Sequence, residues 1–129
     1  MIVVHGIDIV DVSRIESMLD THGQTFIDRC FTPKEQEASD VSAKGLRAER
    51  FAARYAAKEA ILKALGTGLS GGIEWIEIGV IREDGPPMVE LCGRAAEVAA
   101  EAGITEWRLS LSHSGGMAMA SVIGIGGSR

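Results

Sequence analysis

Apolar residues in this chain come in short blocks whose period shifts between two and about three and a half. Residues 2 to 12, "IVVHGIDIVDV", are rich in Val and Ile and read as a β-strand. "SRIE" follows. Ser13 and Glu16 have capping-box spacing, which predicts a helix from Ser13 that fades near His22 and Gly23, with a second short helix over residues 25 to 29. "TPKE" is another start signal, with Thr32 as cap, Pro33 at the first helical position and Glu35 closing the box. "DVSAKG" loosens the chain before a long helix over residues 46 to 65, stopped by Gly66. "GIEWIEIGVIRED" is expected as a strand, "GPP" as its turn, "MVEL" as a shorter strand, and residues 93 to 101 as a helix ended by Gly103. "EWRLSLSH" alternates strictly: Trp107, Leu109 and Leu111 share one face, Arg108, Ser110 and Ser112 the other. "SGG" then turns the chain and "MAMASVIGI" returns, which predicts an antiparallel hairpin. Helices and strands are segregated, so the expected class is α+β: one domain over residues 1 to 129, with an antiparallel sheet packed on the long helix.

The long helix raises a chemical question. At 100° per residue, Arg47, Arg50, Arg54 and Lys58 fall within an arc of about 80°. Four like charges on one stripe repel unless something anionic meets them, so the stripe is either a solvated basic face or an anion-binding one. Glu59 and Lys63 point elsewhere, beside Ala52 and Ala56. They form either an i,i+4 salt bridge or a pair held up to a ligand whose phosphates the small alanines let approach. "GTGLSG" matches GxGxxG by letter but closes a helix instead of opening one, so it is no dinucleotide fingerprint. Gly66, Thr67 and Gly68 make either a helix cap and turn or a backbone wrap for a phosphate or pantetheine arm.

Two further residues stand out. Asp8 shares its strand face with Val4, Gly6, Val10 and Val12. A carboxylate there is solvated at the strand end, paired, or bound to a metal. His113 ends the apolar face of Trp107, Leu109 and Leu111, as either a structural or a functional residue. The chain carries neither a Walker A pattern nor GxSxG.

Composition narrows the classes. Apolar residues make up 46% of 129, as in a globular protein, and glycine, at 16, falls mostly at segment ends. Thirteen basic against eighteen acidic residues give a net charge of −5, which argues against nonspecific nucleic-acid binding. No apolar run approaches the roughly 20 residues of a membrane span. The opening segment has no basic start, and Asp8 and Asp11 interrupt its apolar run, so no secretory leader is expected. Cys30 and Cys92 lie far apart without a CxxC or zinc pattern, as ordinary thiols of a reducing cytoplasm do.

Three blocks, "GIDIVDVSRIE", "RFAARYAAKEAILKALGTG" and "LSLSHSGGMAMASV", resemble in order and spacing the holo-acyl-carrier-protein synthase type of 4′-phosphopantetheinyl transferase, over essentially the whole chain. The resemblance implies that fold and a Mg²⁺-dependent transfer of the phosphopantetheine arm of coenzyme A to a serine of apo acyl carrier protein, serving fatty acid biosynthesis and releasing 3′,5′-ADP. It also implies Mg²⁺ on Asp8 and Glu59, and Lys63 and His113 against coenzyme A phosphates. Gly66, Thr67 and Gly68 would lie over the ligand, and Arg54 with its stripe neighbours at the nucleotide's 3′-phosphate. Arg14 matches a position that docks the carrier protein. Trimers with coenzyme A sites shared between two subunits are implied as well. Residues 35 to 46 match no specific family feature. Two other classes remain to be weighed: a module that only binds coenzyme A, and a metal-dependent phosphohydrolase.

Overall fold

The structure, a computed structural model, describes residues 1–82 and 84–127. Strand β1 (Ile2–Asp11) opens the chain. Helix α1 (Val12–Cys30) follows, then α2 (Pro33–Ser39) and the long α3 (Lys44–Leu65). A single 3₁₀ turn over Trp75–Glu77 precedes β2 (Ile78–Ile81), which pairs antiparallel with β3 (Met88–Leu91). Helix α4 (Gly93–Glu101) leads to β4 (Glu106–Ser114) and β5 (Met117–Gly126). The main sheet is fully antiparallel, in the order β1-β5-β4. The α+β class therefore stands, and so does the terminal hairpin.

Some boundaries move for local reasons. The α1 cap is Asp11, whose side chain accepts from the Ser13 amide, so the helix starts earlier than the expected Ser13 cap. The two expected helices around Gly23 are one element with a break, because Gly23 takes φ +50°, ψ −128°. Thr32 and Glu35 form the expected reciprocal capping box. Gly66 ends α3 in the left-handed conformation, φ +80°. The strand expected across "GIEWIEIGVIRED" shrinks to four residues. A Glu74–Glu77 capping box winds the preceding stretch into the 3₁₀ turn, and Glu83 lies outside the described residues.

Alternation along β1 and β5 decides the packing. Gly6, Val10, Ala118, Ala120 and Val122 are buried on the inner face, against Ala52, Ala56, Ala60 and Ile61 of α3. Small residues on both sides bring helix and sheet close. A Cβ on Gly6 would stand 1.8 Å from the Ala60 carbonyl oxygen, so only glycine fits. Phe31 and Phe51, fully buried 4.8 Å apart, close the core on the α1–α2 side. The outer sheet face stays open and apolar: Val3, Ile7 and Ile9 of β1 and Met119 and Ile123 of β5 are exposed.

Candidate active site

The close contact of β1 with α3 places Asp8 beside Glu59 and Lys63. Asp8 lies two residues past Gly6, and Glu59 immediately precedes Ala60. The Asp8 side chain is only 14% exposed. It is not solvated at a strand end: Lys63 Nζ donates to its Oδ1 at 2.9 Å and to the Ile7 carbonyl at 3.0 Å. Lys63 thus spends its ion pair on the strand, not on Glu59 four residues earlier. That contact raises the Lys63 pKa through the hydrogen bond and the charge of Asp8. Glu59 is pushed up as well, first by burial and then by the Asp8 charge, against the opposing pull of Lys63, the Tyr55 hydroxyl and Arg14.

The two carboxylates lie close enough for the Asp8 charge to raise the Glu59 pKa, so together they favour added positive charge. Their oxygens suit a hard divalent cation such as Mg²⁺, which commonly takes one or two carboxylates and completes its shell with substrate phosphates and water. No group of three His, Cys, Asp or Glu residues able to hold a metal occurs among the described residues. A two-carboxylate site does not need one. Gly66, Thr67 and Gly68 begin three residues after Lys63, at the α3 C-terminus, and a Cβ on Gly66 or Gly68 would meet nothing within 4 Å.

Arg54 and His113 lie elsewhere. They line a cleft of about 1010 Å³ with Glu49, Arg50, Arg82 and Leu111. His113 Nδ1 is 3.5 Å from Glu49 Oε2. Glu49 and Glu59 are ten residues apart on α3, about 15 Å of helix. Arg54 is buried; its Nη1 donates to the Arg50 carbonyl at 3.2 Å, and its Nε has no partner among the described residues. Burial lowers the Arg54 pKa, Glu35 opposes this, and Arg50 and Arg82 add to it. Three guanidinium groups and the Glu49 carboxylate line this cleft, and the excess of cations is the kind of arrangement that suits an anion.

The expected basic stripe on α3 is not one solvated face. Arg47 pairs with Asp40 at 2.8 Å, Arg50 donates to the Ala38 carbonyl at 2.9 Å, and Lys58 is wholly buried against Glu35. Arg14, exposed on α1, holds its guanidinium 5.9 Å from the centre of the Tyr55 ring. Sequence reasoning passed over Tyr55, although its place four residues before Glu59 puts both on one helix face.

Within one chain, then, Asp8, Glu59 and Lys63 come together, Gly66 to Gly68 adjoin them, and Arg54 and His113 share a second cleft. A family model described as the 4′-phosphopantetheinyl transferase superfamily matches residues 5–118. The chain is 45% identical over 119 residues to the holo-[acyl-carrier-protein] synthase of Geotalea daltonii, covering 92% of this chain and 94% of that one. With the synthase of Trichlorobacter lovleyi it shares 47% identity over 124 residues, covering 95% and 97%. The Chronobacterium ammoniagenes ACPS–CoA complex superposes with a TM-score of 0.83 at 30% identity, covering 99% of this chain and 100% of that one. By sequence and by fold, this chain belongs to the 4′-phosphopantetheinyl transferase superfamily.

Proposed function

We propose that this chain is a holo-acyl-carrier-protein synthase, which moves the phosphopantetheine arm of coenzyme A onto a serine hydroxyl of apo acyl carrier protein for fatty acid biosynthesis. The observation that carries this reading is the Asp8–Lys63–Glu59 cluster beside the glycine-capped end of α3. The complex of a similar chain with CoA supports it. In the reaction the serine oxygen forms a bond to the phosphorus of the arm, the bond from that phosphorus to the ADP oxygen breaks, and 3′,5′-ADP leaves.

Asp8 and Glu59 would hold Mg²⁺. Bound there, the ion would neutralise the pyrophosphate and the charge developing on the leaving oxygen. Lys63 supplies a mobile ammonium that trades Asp8 for a phosphate oxygen as charge shifts onto it. Glu59, made more basic by burial and Asp8, stands where it can accept the serine proton. Gly66, Thr67 and Gly68 offer an open turn over the arm, and Arg54 and His113 a seat for the nucleotide's 3′-phosphate. Arg14, on a chain of net charge −5, presents a cation to an acidic carrier protein.

The separation of the Arg54–His113 cleft from the carboxylate cluster supports a trimer in which one coenzyme A spans two subunits. The exposed outer face of β1 and β5 supports the same assembly, as an apolar surface suited to a second copy. No helix among the described residues is long and apolar enough to cross a membrane. Free thiols at Cys30 and Cys92 fit a cytoplasmic enzyme.

The test is an incubation with apo carrier protein, coenzyme A and Mg²⁺, read by intact-protein mass. A gain of one phosphopantetheine on the carrier serine is expected. Coenzyme A bound or cleaved without that gain would favour a binding module or a phosphohydrolase and overturn the reading.

A further inference from the structure

The stretch after α3, Gly66 to Gly72, holds four glycines in seven residues. Such a stretch does not keep one shape by itself, because glycine loses more conformational freedom on ordering than any other residue. Its internal bonds are local: the Ser70 amide and hydroxyl both donate to the Thr67 carbonyl. Among the described residues, one side chain donates to its main chain from another element. Arg94, the second residue of α4, does so from Nε to the Gly71 carbonyl at 3.1 Å. The stretch begins three residues after Lys63, so it borders the place proposed for the pyrophosphate. We propose that Arg94 is a positioning residue that holds the Gly66–Gly72 turn in the shape that receives the phosphopantetheine arm. This inference rests on the coenzyme A site proposed above and deepens it.

The mount for this tether is firm. Helix α4 buries Ala95, Val98 and Ala99, and the Glu77 carboxylate accepts from the Arg94 and Ala95 amides at 3.2 and 3.3 Å. The guanidinium is braced as well: Nη1 donates to Glu97 Oε1 at 3.1 Å and to Glu101 Oε1 at 3.3 Å. Both glutamates lie on the Arg94 face of α4, three and seven residues further on. These ion pairs are exposed and add little stability. What they fix is the direction in which Nε points. A planar guanidinium serves two carboxylates and a carbonyl in set directions; a lysine ammonium on a flexible stem does not. A turn already ordered by Arg94 spares an incoming arm part of the entropy cost of ordering it. The Arg54 and His113 seat lies in a separate cleft, so the tether acts on the arm and not on the nucleotide.

Two ligands separate the arm from the nucleotide: coenzyme A, and 3′,5′-ADP, which has no arm. Their Kd values are measured by calorimetry with Mg²⁺ for the wild type, Arg94→Ala and Arg94→Lys. Arg94→Ala is expected to bind coenzyme A about five-fold more weakly, the scale of one exposed hydrogen bond from a charged group. Its Kd for 3′,5′-ADP and its thermal midpoint should match the wild type. Arg94→Lys keeps the charge without the fork and should fall between the two. In the carrier-labelling assay the loss should lie in KM for coenzyme A and not in kcat. Amide hydrogen exchange over residues 67 to 72 should quicken in Arg94→Ala. Equal weakening of both ligands overturns the proposal, as does unchanged binding of coenzyme A, or a loss that tracks a falling thermal midpoint. A wild type that binds coenzyme A without labelling the carrier removes the transfer reading and leaves the hold on the arm standing. One that binds no coenzyme A removes both.

Discussion

Glu35 and Lys58 form an ion pair at 2.7 Å with both side chains completely shielded from solvent. The pair is a junction. One Glu35 oxygen also accepts from the Thr32 amide at 2.8 Å, the other from the Val80 amide at 2.8 Å, and Lys58 donates to the carbonyls of Trp75 and Ile78. Three elements, α2, α3 and β2, meet on two side chains. Burial lowers the Lys58 pKa, and Glu35 resists that shift. Removing one partner strands the other charge. Glu35→Gln or Lys58→Met should each cost about 3–5 kcal/mol in urea unfolding, and the double substitution less than the sum. Additive losses would mean the two charges are not coupled.

Glu59 should behave in the opposite way. Its folded-state pKa is raised, so its contribution to stability is present below the ordinary glutamate pKa and is lost as pH rises through the folded value. At neutral pH the ionised group therefore strains the native state. Glu59→Gln mimics the protonated form and should leave the metal-free thermal midpoint equal or slightly higher. Transfer should fall by about 100-fold or more, the scale of several kcal/mol of lost charge stabilisation. Full activity in this variant would rule out Glu59 as a metal or proton-accepting group.

Glu77 gives a pH dependence of the other sign. Burial works to raise its pKa, but amide hydrogen bonds from Glu74, Arg94 and Ala95 overcome that and hold it below the ordinary value. Its carboxylate caps the N-terminus of α4 from a distant part of the chain. The stabilisation is present above the ordinary glutamate pKa and is lost as pH falls through the lowered one. Glu77→Gln should cost about 1 kcal/mol near pH 7, as loss of a helix cap does. The gap to wild type should close in acid; a difference that does not change with pH would contradict the capping role.

If each coenzyme A spans two subunits, defects can complement. Glu59→Gln spoils one half of a shared site and His113→Ala the other. Refolding equal amounts of the two variants together should restore about a quarter of wild-type activity, the fraction of sites built from two intact halves under random assembly. A mixture no more active than its components would place each site within a single chain.

Much of this was readable from local pattern, because caps, glycine stops and strand alternation act over three or four residues. The Thr32–Glu35 box, the Gly66 stop and the alternation of Trp107, Leu109 and Leu111 all hold. Lys58 shows where such reading ends. Helical spacing put it on a basic stripe, but its fate was decided by Glu35, 23 residues away in sequence, which local rules had already used up as a cap. Lys63 is similar: spacing offered Glu59 as its partner, and the fold supplied Asp8. Asp8 and Glu59 came from family resemblance, since nothing in the spacing of residues 51 apart announces that they meet.

The contact between Gly6 and the Ala60 carbonyl has a lasting consequence. There, strand and helix touch main chain to main chain, one or two residues from each acid. Peptide planes have no rotamers and no methyl groups to trade, so core residues around them can be exchanged for others of like volume without widening the jaws that Asp8 and Glu59 form. The span between the acids is calibrated by atoms that every amino acid shares, on condition that position 6 keeps the one residue with no side chain to intrude.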